Sequence, residues 1–219
     1  MKLFSGSVLS LLAIWVMTPS VWFSTEMQAR VVTPGGVPVA GAIVVANWNI
    51  TGPWNGASLG QLEIAETVTD KDGQFRIPAW GPRFLSKGVI MIDQPTVRIF
   101  KPGFIPVIVD NYEGVPMKAA EHNMVFRRQN QSIELTPFKG GLIEYESTLI
   151  EFDRSLGIIY DGADGCYWKK TPRLLLSLQD LKMKLVDQGR GESLPFAYQH
   201  ASINQPQCGD AKQFFTDYK

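Results

Sequence analysis

Residues 29–48 read ARVVTPGGVPVAGAIVVANW, and the fold class turns on this stretch. Ala42-Ile43-Val44-Val45-Ala46 is a short apolar run rich in β-branched residues, preceded by the turn-forming Pro34-Gly35-Gly36-Val37-Pro38. β-Branched side chains suit a pleated, half-buried surface, and clustered Gly and Pro mark a change of direction. Working outward, Gln61–Thr69 and Gln74–Ile77 flank Asp70-Lys71-Asp72-Gly73. Asp-Gly supplies the positive φ of a tight turn, which predicts a hairpin there. Thr96–Phe100 alternates apolar and polar residues before Lys101-Pro102-Gly103 turns the chain. Ile105–Val109 follows, with Pro106 marking an edge or an end, and Ser132–Leu135 is the last clear strand. About seven short strands broken by turn chemistry predict a mainly β protein, a sandwich or barrel. The long helical period of βαβ units is missing from this region.

Composition sets the bounds. The chain has 219 residues, enough for one or two domains, and 45% are hydrophobic, enough for a sizeable core. Lys plus Arg number 21 and Asp plus Glu 21. That balance argues against a nucleic-acid partner, which calls for a basic stripe, and against electrostatic docking to anionic lipid. Two Cys and two His are too few and too scattered for a closed zinc site. No cofactor and no metal are expected.

Lys2 is followed by the apolar run Val8–Met17, and no further charge occurs before Glu26. A basic residue followed by such a run is the pattern of a secretory signal. Residues 3–23 are also long enough to span a bilayer as an uncleaved anchor. Both readings place the protein outside the cytoplasm, in the periplasm or cell envelope, with membrane contact only through this segment if it is kept. The expected organisation is a signal or anchor over 1–24, a β-sandwich over 25–137 and a helical extension over 138–219.

Three strings, ARVVTPGGVPVAGAIVVANW, TVTDKDGQFRIPAW and PTVRIFKPGF, together resemble the carboxypeptidase regulatory-like domain. The matching positions are Gly36, Pro38, Gly41, Ala42, Thr69, Asp70, Gly73, Phe75, Pro102, Gly103 and Phe104. Ala29 departs from the Gly that often opens the first strand of that family, and the pattern does not explain Trp48–Gly60. The resemblance implies a seven-stranded transthyretin-like sandwich acting as an accessory module, with turn and core residues in common but no shared active site. Gly165–Arg173 resembles, less specifically, tails of bacterial envelope proteins that carry this sandwich.

In the last third, Thr171-Pro172 predicts a helix start, with Thr as N-cap and Pro at the first helical position. Leu174, Leu178, Leu181 and Leu185 then form one apolar face, and Gly189 stops the helix. Asp210 is placed to cap a second, short helix. Cys166 and Cys208 stand just before the two helices, and in an oxidising compartment they are expected to form a disulfide.

Four groups of residues carry possible chemistry. Asp70-Lys71-Asp72-Gly73 reads as a plain turn rather than a calcium loop, because Gly81 stands where an EF-hand needs its Glu. His122 and His200 read as surface or packing residues. Glu144, Glu146, Glu151 and Asp153 form an acidic cluster, expected to be a solvated face; as an alternative, paired carboxylates there would suit a hydrolase. Trp48, Trp54 and Asn55 fall in one stretch that, as a loop, would suit a carbohydrate- or peptide-binding module. The leading expectation is a non-enzymatic exported sandwich that binds an envelope protein or a glycan, or supports an assembly.

The N-terminal reading is tested by replacing Leu11 and Leu12 with Arg. Each charge raises the cost of membrane insertion by about 2.5–3.5 kcal/mol. The expected outcome is retention in the cytoplasm on fractionation; normal export would remove the signal reading.

Overall fold

The computed structural model describes residues 20–51, 58–85, 91–92, 95–109, 123–160, 166–195, 197–200 and 206–218. The elements, in order, are β1 (Ser20–Ser24), β2 (Met27–Val32), β3 (Ile43–Thr51), β4 (Ser58–Val68), β5 (Gln74–Ile77), β6 (Trp80–Leu85), β7 (Met91–Ile92), β8 (Thr96–Phe100), β9 (Val107–Val109), β10 (Asn123–Met124) and β11 (Ser132–Glu134). Helices α1 (Leu142–Tyr160), α2 (Pro172–Val186), α3 (Ala197–His200) and α4 (Ala211–Tyr218) follow.

Among the described residues the strands form two facing layers and no closed barrel. One layer has the order β4-β3-β8-β9, with β7 paired to the end of β3. The other is a three-strand layer in two segments, β10-β1-β6 continued by β11-β2-β5. The chain passes from β1 to β2 and from β5 to β6 across two residues each, so each pair occupies one lateral position. This is the expected mainly β sandwich with a helical extension.

β3 explains why the helices are there. Val44, Ala46 and Trp48 point between the two sheets, packing with Met27, Val31, Phe75, Ile77, Val97 and Ile99. Ile43 and Val45 point the other way, into a second cluster with Phe100, Leu149, Phe152, Leu174 and Leu178. Successive strand residues face opposite sides, so a run that is apolar at every position needs cover on both. The helices supply the second cover, and Phe100 stacks on Phe152 of α1 at 5.3 Å.

α2 and α4 lie where the apolar spacing and the caps predicted them. α1 is an addition to the expectation. Tyr145, Leu149, Phe152 and Leu156 repeat the 4, 3, 4 spacing of α2 and are all buried. Cys166 and Cys208 are bonded, with Cα atoms 5.4 Å apart. Beside the bond, the buried Trp168 packs against Phe214 and Phe215 of α4 at 5.1 and 5.6 Å. Closing a loop of 42 residues is worth about 4 kcal/mol in the chain-entropy model.

The expected hairpin at Asp70–Gly73 is corrected: β4 pairs with β3, and β5 pairs with β2, in opposite layers. The turn itself is present, with the Gly73 N–H donating to the Asp70 carbonyl at 3.0 Å. The Asp70 carboxylate accepts the N–H groups of Asp72 and Gln74, both at 2.9 Å. The strands part because each end of the turn is held by a different sheet. Thr69 exchanges backbone bonds with Gly41 and Ala42 beside β3, whereas the Gly73 carbonyl accepts the N–H of Val31 in β2. The buried Thr69 hydroxyl completes the corner, donating to Val39 and accepting from Ala42. The turn is therefore a corner between layers.

Gly73 has φ +74°, and a Cβ there would lie 2.4 Å from the Val31 carbonyl oxygen. Gly103 has φ +79° but no atom within 4 Å of such a Cβ. Gly73→Ala should therefore cost more than the roughly 1–2 kcal/mol of left-handed backbone strain, whereas Gly103→Ala should cost no more than that. Denaturant melts of the two variants check this; equal losses would mean that the corner tolerates a side chain.

Candidate functional site

The structure disperses the residues that the sequence grouped. Trp48 lies within β3 and is fully buried, edge-on to Trp80 at 5.2 Å, so the expectation that it stands on a binding loop is corrected. Its place follows from strand alternation, which turns it inward with Val44 and Ala46. Trp54 and Asn55 lie outside the described residues, as does His122. The acidic cluster lies along α1. Glu144 and Glu151 are exposed and Asp153 is half-buried. Glu146 is buried, accepting the Arg190 Nε at 3.0 Å and the Gly191 N–H at 2.8 Å, and so ties α1 to the end of α2. Among the described residues no group of three His, Cys, Asp or Glu is placed to hold a metal, and no helix is long and apolar enough to cross a membrane.

Two further carboxylates on β4, absent from the sequence reading, hold the helical layer. Glu66 accepts the N–H of Arg173 at 3.1 Å and of Leu174 at 2.8 Å, at the first turn of α2. Thr171, the expected cap, makes no side-chain capping bond. A helix start exposes unpaired N–H groups and a partial positive charge, and a carboxylate from another element serves both. Burial pushes the Glu66 carboxyl above its usual range, and the bonds from Leu174 and Arg173 offset this only in part. At Glu63 burial also disfavours the charge, but the hydrogen bond from Arg83 and the charge of Lys170 outweigh it and hold the carboxyl low. Glu63 thereby connects β6, β4 and the 3-10 turn Tyr167–Lys170. On β8, Arg98 is buried, donating to the Asn47 side chain and to the Ser155 carbonyl of α1. Tyr145 of α1 donates to the Phe104 carbonyl, and its burial pushes the phenol up to about 12. These polar groups are spent on joining layers.

A groove opens elsewhere, at the margin of the sandwich. The backbone pairs Phe104 with Pro137, and the Ile105 N–H donates to the Thr136 carbonyl at 2.9 Å. From that bridge β9 and β11 separate, and a cavity of about 260 Å³ lies between Val107–Val109 and Ser132–Glu134, with Arg128 at its wall. Each strand pairs on one side only, β9 with β8 and β11 with β2. Among the described residues their outer edges, which border the groove, have no strand partner. Pro106 gave the sequence signal for an edge at β9; nothing local in the sequence places β11 opposite it.

No protein-family model and no curated protein matches the chain. Solved structures that match include a streptococcal ancillary pilin, with 12% identity over 57% of this chain and 31% of that one, at a TM-score of 0.28. Chlorocatechol 1,2-dioxygenase from Pseudomonas putida matches with 12% identity over 64% and 65%, at 0.30. 3-Chlorocatechol 1,2-dioxygenase from Rhodococcus opacus 1CP matches with 16% identity over 54% and 60%, at 0.29. The chain thus spans between about a third and two thirds of the length of these structures. At such scores the likenesses carry no argument about what this chain does.

The role of Glu66 can be measured directly. Glu66→Ala should lower stability by about 1–3 kcal/mol, since it leaves the part-buried Leu174 N–H at the helix start without its acceptor. A raised carboxyl pKa means that the folded state binds the proton more tightly. Its contribution is full below the unfolded value of 4.5 and is lost as pH rises through the folded value. Glu66→Gln should abolish that part of the pH dependence; an unchanged stability–pH curve would refute it.

Proposed function

We propose that this chain is an exported envelope protein that acts without catalysis, receiving an extended segment of a partner protein between β9 and β11 and so supporting an assembly. The observation that carries this reading is the groove flanked by two strand edges. An edge offers a row of backbone donors and acceptors, and an added strand takes affinity from them and specificity from alternate side chains. Ile108, exposed on β9, stands at that edge. The disulfide supports export, because such bonds persist in oxidising compartments and are rare in the cytosol. The apolar segment Val8–Met17 supports the same compartment. The engagement of Glu63, Glu66 and Glu146 in holding helices supports a role without acid–base chemistry.

The test is cross-linking of the full chain in cells, followed by purification of the envelope fraction. Ile108→Lys places a charge on the edge, a change that blunts strand addition while leaving an exposed position folded. Loss of the cross-linked partner with an unchanged melting curve is expected. A partner captured equally by wild type and variant would overturn the groove as the binding site.

A further inference from the structure

The front of the sandwich carries an apolar surface that the core does not use. β1 is the middle strand of its segment, antiparallel to β6 and parallel to β10. Trp22 packs toward the inter-sheet core, so its neighbours Val21 and Phe23 take the outer face. Val21 stands opposite Phe84 of β6. Phe84 is 65% exposed and Phe23 is 44% exposed. The Phe23 ring lies over Gly81, where a Cβ would approach it to 2.8 Å. Arg83, next to Phe84, is taken up by Glu63 of β4. Two large exposed aromatic rings on one strand pair make an unusual outer face for a sheet whose inner face is already packed.

The chain that leads into β1 indicates what covers this face. Residues 3–19 carry no charge, and only Thr18 and Pro19 separate the apolar run from Ser20, where β1 begins. An extended chain advances at most about 3.6 Å per residue, so β1 starts within roughly 10 Å of the end of that run. The headgroup layer of a bilayer is of similar depth, about 5–8 Å on each side. With the run inserted there is no linker to hold the sheet away from the lipid. Exposed aromatic rings at that distance suit the headgroup–acyl boundary, where apolar side chains enter and neighbouring charges such as that of Arg83 stay at the headgroup level.

From this we infer that the outer face of β1 and β6, through Phe23 and Phe84, rests on the lipid surface of the membrane that the N-terminal segment enters. The inference rests on the envelope reading above and requires that the segment be kept. It adds a second attachment, made by the folded sheet itself, which fixes how the domain is turned relative to the bilayer.

The experiment uses the full chain reconstituted into phosphatidylcholine vesicles that contain lipid spin-labelled on its acyl chain. The native cysteines are bonded, so a single introduced Cys can carry an environment-sensitive dye. Three variants are compared: Phe84→Cys, Ile108→Cys on the far edge, and Leu11→Cys in the apolar run, each first shown to melt like wild type. Blue-shifted emission that is quenched by the labelled lipid is expected at 84 and at 11, and water-like, unquenched emission at 108. Quenching at 11 but not at 84 would overturn the resting face and leave the envelope reading intact. A blue shift at 84 without lipid quenching would also overturn it, by showing the face covered by another copy of the chain. No quenching at 11 would show that the run does not enter the bilayer, which overturns the resting face and leaves the groove reading standing.

Discussion

The whole molecule depends on one strand being buried on both faces. β3 and the residue before it carry apolar side chains at five consecutive positions, Ala42 to Ala46, and again at Trp48 after the single break at Asn47. Val44, Ala46 and Trp48 require a second sheet; Ile43 and Val45 require something else. Each fully buried Val or Ile is worth about 1.5–3 kcal/mol relative to exposure. A sandwich alone leaves that second set in water, together with Phe100 and Ile64. The helices are therefore the third layer of one molecule, and the central sheet sits between two cores.

Helices laid on a sheet bring polar ends into apolar surroundings, and the charged residues answer that problem. Glu66 meets the start of α2, and Glu146 meets the backbone just past its end. Arg98 reaches from β8 to the carbonyl of Ser155 in α1. Each group comes from a different element from the one whose backbone it satisfies. Such bonds define how the layers are placed relative to one another, because an ionised acceptor without its donors would be costly to bury.

The legible part of the fold was the part governed by local rules. Gly73, Gly103 and Gly189 have positive φ where turn chemistry placed them, and Asp210 caps α4 by accepting the Gln213 N–H at 2.8 Å. What local rules cannot give is which sheet receives each end of a turn, and so the corner after Thr69 read as a hairpin. Trp48 shows a related limit: grouped with Trp54 and Asn55 it reads as part of a loop, while its alternation with Ala46 and Val44 puts it in the core. Tyr145, Leu149, Phe152 and Leu156 carry a helical period, but Glu144, Glu146, Glu151 and Asp153 are interleaved with it, so the same stretch also reads as an acidic cluster. Glu66 was out of reach, since its partners lie more than a hundred residues away along the chain. The groove between β9 and β11 is likewise a product of how two sheets meet.

The cysteine bond links this architecture to the redox state of its surroundings. Its two ends enclose α2 and hold α4 beside Trp168, so the bond fastens the outer part of the third layer. While the thiols are reduced, that layer lacks the bond's contribution of about 4 kcal/mol, and Ile43, Val45 and Phe100 are less securely covered. Oxidation of the pair thus acts as a latch on the helical layer, turning a loosely held cover of the central sheet into a fixed one.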